Sequence, residues 1–176
     1  SVKYQYNQAG DVVSSTDSQG RTIKYTYDIL GDVTYISYPD GTHEEFTYDA
    51  EGRNLTAKDR LGRTVSFTYD SVGNVIGKTY PNGTTEKYTY DRCDRLIAVT
   101  NVYGATTKYD YDYLGRNTEI TDSNGNSVSY TYNDRGNVSS VTDAKGNTYS
   151  FTYDNNGNQT SVTYPNGSTF SSAYDV

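Results

Sequence analysis

The sequence predicts an all-β fold, an antiparallel meander of β-hairpins built from eight 21-residue repeats and forming a curved or spiral sheet. Three observations predict it: tyrosine recurs at a fixed spacing, every repeat holds two turn signals, and the segments between turns alternate between apolar and polar residues. Strands favour aromatic residues, and the chain has 21 Tyr among 176 residues. No segment shows the periodicity of an amphipathic helix.

Two aromatic columns define the repeat. Tyr6 begins a series of tyrosines that recurs every 21 residues as far as Tyr174, without insertion or deletion. A second ring stands two residues before each tyrosine except the last, where Ser172 replaces it. Large rings bury much apolar area and the chain has few other apolar residues, so the columns are predicted to form the core. The predicted core residues are Tyr6, Tyr25, Tyr27, Phe46, Tyr48, Phe67, Tyr69, Tyr88, Tyr90, Tyr109, Tyr111, Tyr130, Tyr132, Phe151 and Tyr153.

Each repeat also carries two turn signals. The first has the form Asp-x-x-Gly, as in Asp28 to Gly31, and the second is either similar or reads Tyr-Pro-Asp/Asn-Gly, as in Tyr38 to Gly41. An Asp at the head of a type I turn accepts backbone hydrogen bonds, and glycine adopts the left-handed conformation that closes a hairpin. Asp94 replaces one glycine, and aspartate tolerates this conformation. The predicted turn glycines are Gly20, Gly31, Gly41, Gly52, Gly62, Gly73, Gly83, Gly104, Gly115, Gly125, Gly136, Gly146, Gly157 and Gly167.

The two segments of a repeat differ in pattern. The segment that leads into each tyrosine alternates strictly, as in residues 64–69, which indicates a strand with one wet face. In the return segment, apolar residues such as Val33 and Ile36 stand three positions apart. Because that spacing does not fit alternation, we expect a β-bulge there or burial of both faces. A parallel β-solenoid with one coil per repeat is the alternative architecture.

Composition limits the classes of function. Lys and Arg total 15 against 22 Asp and Glu, a net charge of −7 that argues against a nucleic-acid partner. No apolar run is long enough to predict a membrane span. The sequence lacks a starting Met and a signal peptide, so residues 1–176 are interpreted as a single repeat array, a segment of a larger protein.

Candidate chemical residues are few. His43 and Cys93 are the only residues of their types, and Cys93 stands in a turn between two arginines. The repeated carboxylates Asp28, Asp49 and Asp70 are explained as turn formers. Residues 122–126 and 154–158 resemble the start of a calcium loop but lack the closing Glu. We therefore expect no catalysis, cofactor or resident metal, and calcium binding is left open.

Four tyrosines stand outside the two columns. Tyr35, Tyr103, Tyr113 and Tyr149 are the candidates for exposed rings, on which a sugar could stack. The tyrosines within the columns are better explained as core.

Repeat after repeat reads Phe/Tyr-Thr-Tyr-Asp-x-x-Gly-Asn/Arg, followed by Thr-Asp-x-x-Gly or Tyr-Pro-Asn-Gly. This pattern, over residues 4–175, closely resembles the YD repeat of the Rhs (rearrangement hotspot) family, found in polymorphic toxin shells, insecticidal toxin complex B/C components, wall-associated proteins and teneurins. The resemblance implies a spiral of β-hairpins that encloses a toxin cargo or acts as an extracellular spacer. No stretch matches the family's plug or self-cleaving protease segment.

The sequence thus predicts a non-catalytic structural scaffold, secreted or on the cell surface. Its partners would be adjacent repeats, other copies reached through edge strands, a toxin cargo or a surface glycan. The alternatives are a cell-wall or glycan-binding adhesion module and a subunit of a self-assembling extracellular filament. A hydrolase is the least favoured interpretation.

Overall fold

The structure, a computed structural model, describes residues 1–174, and within them it is an open, 17-stranded antiparallel sheet without helices. Every recorded pairing joins strands that follow each other along the chain, as a hairpin meander requires, so the fold class is confirmed and the parallel β-solenoid is excluded. The chain divides into two compact units, Ser1–Lys87 and Tyr88–Val176. No helix among the described residues has the length and apolar character needed to cross a membrane.

The strands are short and alternate in length. They are β1 (Lys3–Tyr6), β2 (Val12–Thr16), β3 (Thr22–Tyr27), β4 (Val33–Ser37), β5 (His43–Tyr48), β6 (Asn54–Lys58), β7 (Thr64–Tyr69), β8 (Val75–Thr79), β9 (Thr85–Tyr90), β10 (Leu96–Thr100), β11 (Thr106–Tyr111), β12 (Asn117–Thr121), β13 (Ser127–Tyr132), β14 (Val138–Thr142), β15 (Thr148–Tyr153), β16 (Gln159–Thr163) and β17 (Thr169–Ser171). The six-residue strands end on the tyrosine column, and the five-residue strands are the return segments.

The turns have the geometry of a type I turn closed by a left-handed residue. In the turn from Asp28, the Gly31 N–H donates to the Asp28 carbonyl at 3.3 Å, and the Asp28 N–H donates to the Asp32 carbonyl at 3.0 Å. All fourteen predicted turn glycines have positive φ, between 77° and 100°. Asp94 takes the same conformation with φ of 59°, as its position in the repeat suggested.

The return strands contain the expected bulge. Between β3 and β4, Thr26 pairs with Tyr35 while Tyr27 pairs with Val33, which leaves Thr34 as the extra residue. The same shift recurs where β5 meets β6, β7 meets β8, and in the corresponding hairpins of the second unit. Since paired residues share a face, Val33 and Ile36 both lie on the side of the rings. The bulge therefore accounts for their spacing of three.

The two aromatic columns lie on one side of the sheet, which we call the ring face. Within each of the two units, the recorded contacts between strands join only neighbours along the chain, so no second layer covers this face within a unit. The column rings are half-buried, except that Tyr4 and Tyr6 on β1 and Tyr174 near the C-terminus are exposed. Ser14, at 7% exposure, is the only buried residue among those described. The residues predicted as core thus form a partly covered face rather than an enclosed interior.

Candidate functional site

The tyrosine column has a polar role that sequence reasoning missed. A column hydroxyl donates to the carbonyl of the residue 15 positions earlier, the first residue of the preceding return strand, as from Tyr69 to Asn54 at 2.7 Å. The other recorded bonds are Tyr27 to Val12 at 2.7 Å, Tyr48 to Val33 at 2.9 Å, Tyr111 to Leu96 at 2.8 Å, Tyr132 to Asn117 at 2.6 Å, Tyr153 to Val138 at 2.8 Å and Tyr174 to Gln159 at 2.9 Å.

These bonds join consecutive repeats where the sheet ladder ends. Ladder pairing between β2 and β3 stops at Ser14 and Lys24, so the Val12 carbonyl lies beyond it and receives the Tyr27 hydroxyl instead. Partial burial raises the pKa of Tyr27 and Tyr48 above the ordinary tyrosine value. The signal in the sequence was the absence of Phe from this column, whereas Phe46, Phe67 and Phe151 occur in the other.

Most turns are held by their leading Asp or Asn, and the Tyr-Pro turns by the Asp or Asn at their third position, as where Asp40 accepts the Thr42 N–H at 3.1 Å. In the turn from Asp91, one carboxylate oxygen accepts the N–H groups of Cys93 and Arg95 at 2.8 and 3.1 Å, and the other accepts the Arg95 side chain at 2.7 Å. In other turns an Asn replaces the Arg, as where Asn126 donates to Asp122 at 2.8 Å. Both carboxylate oxygens therefore have donors, which makes these residues turn formers in the structure.

The same hydrogen bonds lower the pKa of the turn aspartates. For Asp17, Asp59 and Asp91 the first cause is the Arg side chain, and for Asp122, Asp143 and Asp154 it is the Asn side chain. For Asp49, Asp70 and Asp112, desolvation raises the pKa, but the backbone and side-chain donors outweigh it and the net shift is downward.

Four arginines also reach the next turn on the same edge, and three of them, at the fifth position of their turns, lie over a ring of the tyrosine column as well. The Arg95 guanidinium donates to the Asp112 carbonyl at 2.9 Å and lies 5.0 Å from the Tyr111 ring centroid. Arg53 and Arg116 make the equivalent contacts, with the carbonyls of Asp70 and Asn133 and with the rings of Tyr69 and Tyr132. Each of these three arginines links two turns and covers one ring of the tyrosine column.

The candidate chemical residues are not brought together. His43 stacks on Tyr35 at 5.1 Å and contacts Glu45 at 3.1 Å, while Cys93 is exposed in its turn. The carboxylates Asp28, Asp49 and Asp70 stand in separate turns. Among the described residues, no three His, Cys, Asp or Glu side chains are grouped as metal ligands require.

The four tyrosines outside the columns fall into two groups. Tyr35 stacks on His43, and Tyr149 packs edge-on against Tyr164 at 6.0 Å. Tyr103 and Tyr113, at turn tips of the second unit, are each 91% exposed. Of these four tyrosines, Tyr103 and Tyr113 present free ring faces of the kind on which a sugar can stack.

Comparison with known proteins agrees with this architecture. The RHS Repeat family profile matches residues 6–43, 48–85, 69–106, 90–127, 111–148 and 132–169. The crystal structures of TcdB2-TccC3 and of TcdB2-TccC3-Cdc42 each align with a TM-score of 0.72 at 16% sequence identity. The alignments cover 97% and 93% of this chain but only 12% and 11% of the solved chains. No curated protein sequence matches the chain. With family matches over most of its length and the family's strand and turn pattern in every repeat, the chain belongs to the RHS repeat family.

Proposed function

We propose that the chain is a non-catalytic wall segment of a larger β-shell that encloses or presents a toxin cargo outside the producing cell. The observation that carries this proposal is the unbroken hairpin meander, in which successive repeats are joined by the sheet ladder and, in seven recorded cases, also by a tyrosine hydroxyl. Such a wall can be lengthened by adding repeats, because every new repeat meets the same contacts.

Similarity to larger assemblies supports a wall segment. The solved TcdB2-TccC3 chains share the fold over nearly all of this chain, yet the chain spans only 11–12% of their length. A segment of this size would form a small part of such a protein. Among the described residues, His43, Cys93 and the turn carboxylates lie apart from one another, and the carboxylates already accept hydrogen bonds within their turns, as a structural role requires.

The composition of the surface suits a particular cargo. The net charge of −7 favours a basic domain over an acidic one. The ring face, half-buried and without a second layer within either unit, offers aromatic area that an enclosed polypeptide could cover.

Protection of the cargo tests the proposal in the full-length protein that carries this chain. Deleting residues 49–90 removes two repeats and preserves the phase of strands and turns. We expect electron microscopy of the intact protein to show a hollow particle with a protease-resistant cargo, and the deletion to make that cargo cleavable. An intact protein with no enclosed volume, or with a hydrolytic activity that Asp49→Asn abolishes, would contradict the proposal.

A second candidate is glycan adhesion, favoured by the exposure of Tyr103 and Tyr113. Binding on a glycan array that Tyr103→Ala and Tyr113→Ala abolish would support it. Leu114→Ala, on the same turn as Tyr113, is the matched control and should leave such binding unchanged. An array without binding excludes this candidate and leaves the wall segment unaffected.

A further inference from the structure

Two equivalent grooves lie on the ring face of the first unit. One, of about 450 Å³, is lined by Ser15, Ile23 and Pro39 with the Asp17–Arg21 pair, and the other, of about 440 Å³, is lined by the residues 42 positions later. Those counterparts are Ala57, Val65, Pro81, Asp59 and Arg63. The recurrence of the same five positions makes the grooves a regular feature of alternate repeats rather than an irregularity of one turn.

The small residues Ser15 and Ala57 create the grooves. The same position of the repeat holds Ile36 between them, and Val99, Ile120, Val141 and Val162 in the second unit. On the ring face, Ala57 is paired with Phe46 on one side and with Val65 on the other. An apolar floor is therefore left open to solvent between two larger apolar side chains, and a proline of the next turn forms its wall.

Apolar side chains project from the turns at the opposite ends of the strands in the same unit. Each of the two rows of turns is called an edge below, one with the tips and one with the grooves. Leu30 is 60% and Val72 68% exposed at the third position of two turns, and Ile29 beside Leu30 is fully exposed. The turns themselves do not need these residues, because Glu51 occupies the same position in the turn between them. We call Ile29, Leu30 and Val72 the apolar tips.

The tips and the grooves have the same spacing. Leu30 and Val72 are 42 residues apart, as are Ser15 and Ala57, and each interval equals four strands. At about 4.8 Å per strand, both sets recur every ~19 Å along the sheet. Two copies of the unit share one twist, so when they lie side by side in the same direction both tips can meet both grooves.

Charge on the two edges favours the same contact. The edge with the tips carries Asp28, Asp32, Asp49, Glu51 and Asp70 against one arginine, Arg53. The groove edge carries Arg21, Arg60 and Arg63, whose side chains are 42–65% exposed, together with Asp17, Asp40 and Asp59. The edge with the tips is thus acidic, whereas each arginine of the groove edge is paired with an aspartate of its own edge and remains partly exposed, so that it can also approach a carboxylate of the second copy.

From this spacing and charge we propose that the grooves bind the apolar tips of a second copy of this chain, so that copies associate side by side through opposite edges. Leu30 and Ile29 enter the groove at Ser15, and Val72 enters the groove at Ala57. The contact is heterologous, since a tip edge meets a groove edge, and it is therefore open-ended: each added copy presents a new free edge. The proposal is independent of whether the full-length protein encloses a cargo.

Complementation between two variants tests the proposal by sedimentation velocity. The tip variant carries Ile29→Ser, Leu30→Ser and Val72→Ser and keeps its grooves. The groove variant carries Ser15→Ile and Ala57→Ile and keeps its tips. Isoleucine is chosen because Ile36 occupies the same position in the repeat between them. Leu114→Ser, which removes an exposed apolar side chain from a turn of the second unit, is the matched control.

We expect the parent chain to form larger species as its concentration rises, the Leu114→Ser control to do the same, and each variant alone to stay monomeric. An equimolar mixture of the two variants should form a capped heterodimer and nothing larger. A monomeric parent chain, variants that associate like the parent, or a mixture that remains monomeric would each overturn the proposal. Should the groove variant fail to fold, the tip variant added to the parent chain must shorten its assemblies, because it blocks growth at one edge. Unchanged assemblies would overturn the proposal equally.

Discussion

The tyrosine hydroxyl that joins consecutive repeats gives the sharpest test of the structure. Tyr132→Phe keeps the ring and its stacking with Arg116 at 4.5 Å but removes the hydroxyl that donates to the Asn117 carbonyl at 2.6 Å. A hydrogen bond makes a net contribution of about 0.5–1.5 kcal/mol to stability, and a carbonyl left without a donor costs more when it is shielded from water. The ring is half-buried, so water can replace part of the loss. We expect a destabilisation of about 1 kcal/mol.

Tyr130→Phe is the matched control. Tyr130 lies on the same strand, β13, two residues earlier, and its hydroxyl makes no hydrogen bond in the described structure, while Phe stands at this position in three other repeats. Its removal should change the free energy of unfolding by less than about 0.5 kcal/mol. Urea denaturation followed by far-UV circular dichroism measures both variants, and the larger loss corresponds to roughly 2–4 °C in melting temperature for a chain of this length. Equal effects of the two substitutions, or a larger effect of Tyr130→Phe, would refute the assigned role.

Three further predictions follow from the turns and the strands. The turn aspartates Asp17, Asp91 and Asp122 have a lowered pKa when folded, so their stabilisation is present above the unfolded value near 3.8 and is lost as pH falls through the folded values. The melting temperature, followed by circular dichroism, should be flat above about pH 5 and fall below pH 4, and a flat profile down to pH 2 contradicts this. Arg95→Asn keeps a donor for Asp91 but loses the hydrogen bond to the Asp112 carbonyl. We expect the free energy of unfolding, measured by urea denaturation, to fall by about 1 kcal/mol, whereas no change would mean that the link between turns is not stabilising. Gly77→Thr removes a flexible glycine from β8 but requires the Thr68 hydroxyl, 2.6 Å from the new Cβ, to rotate. Thr56 occupies the same position one repeat earlier and forms a hydrogen bond with Thr47 there, so we expect the free energy of unfolding to rise by up to about 1 kcal/mol. A lower melting temperature would show that the site cannot relax.

Much of the fold could be predicted because its determinants are local. The positive φ at Gly31, and at Asp94 where glycine is missing, depends on the turn in which each residue stands. The bulge in the return strand was visible as the spacing of Val33 and Ile36, which a regular strand cannot place on one face. Repetition strengthened each signal, since an error in one repeat would have to recur in eight.

The candidate site was less predictable because its contacts join residues far apart in sequence. The Tyr69 hydroxyl bonds a carbonyl 15 residues earlier, and Arg95 reaches a turn 17 residues later. Neither contact follows from a periodic pattern alone, because only the register between strands determines which atoms face each other. The grooves at Ser15 and Ala57 depend on the same register, which sets them between larger side chains.

By itself, the sequence determined the repeat, the hairpins and the side of the sheet on which the rings lie, since turn chemistry and alternation act within a few residues. Tertiary structure decided how far the rings are covered and which polar atoms join one repeat to the next. Burial and hydrogen bonding between strands depend on what lies opposite a residue, and within each unit a single layer leaves the rings partly exposed. Tyrosine is the residue suited to that position, because its ring covers the sheet while its hydroxyl satisfies a carbonyl that the ladder does not reach.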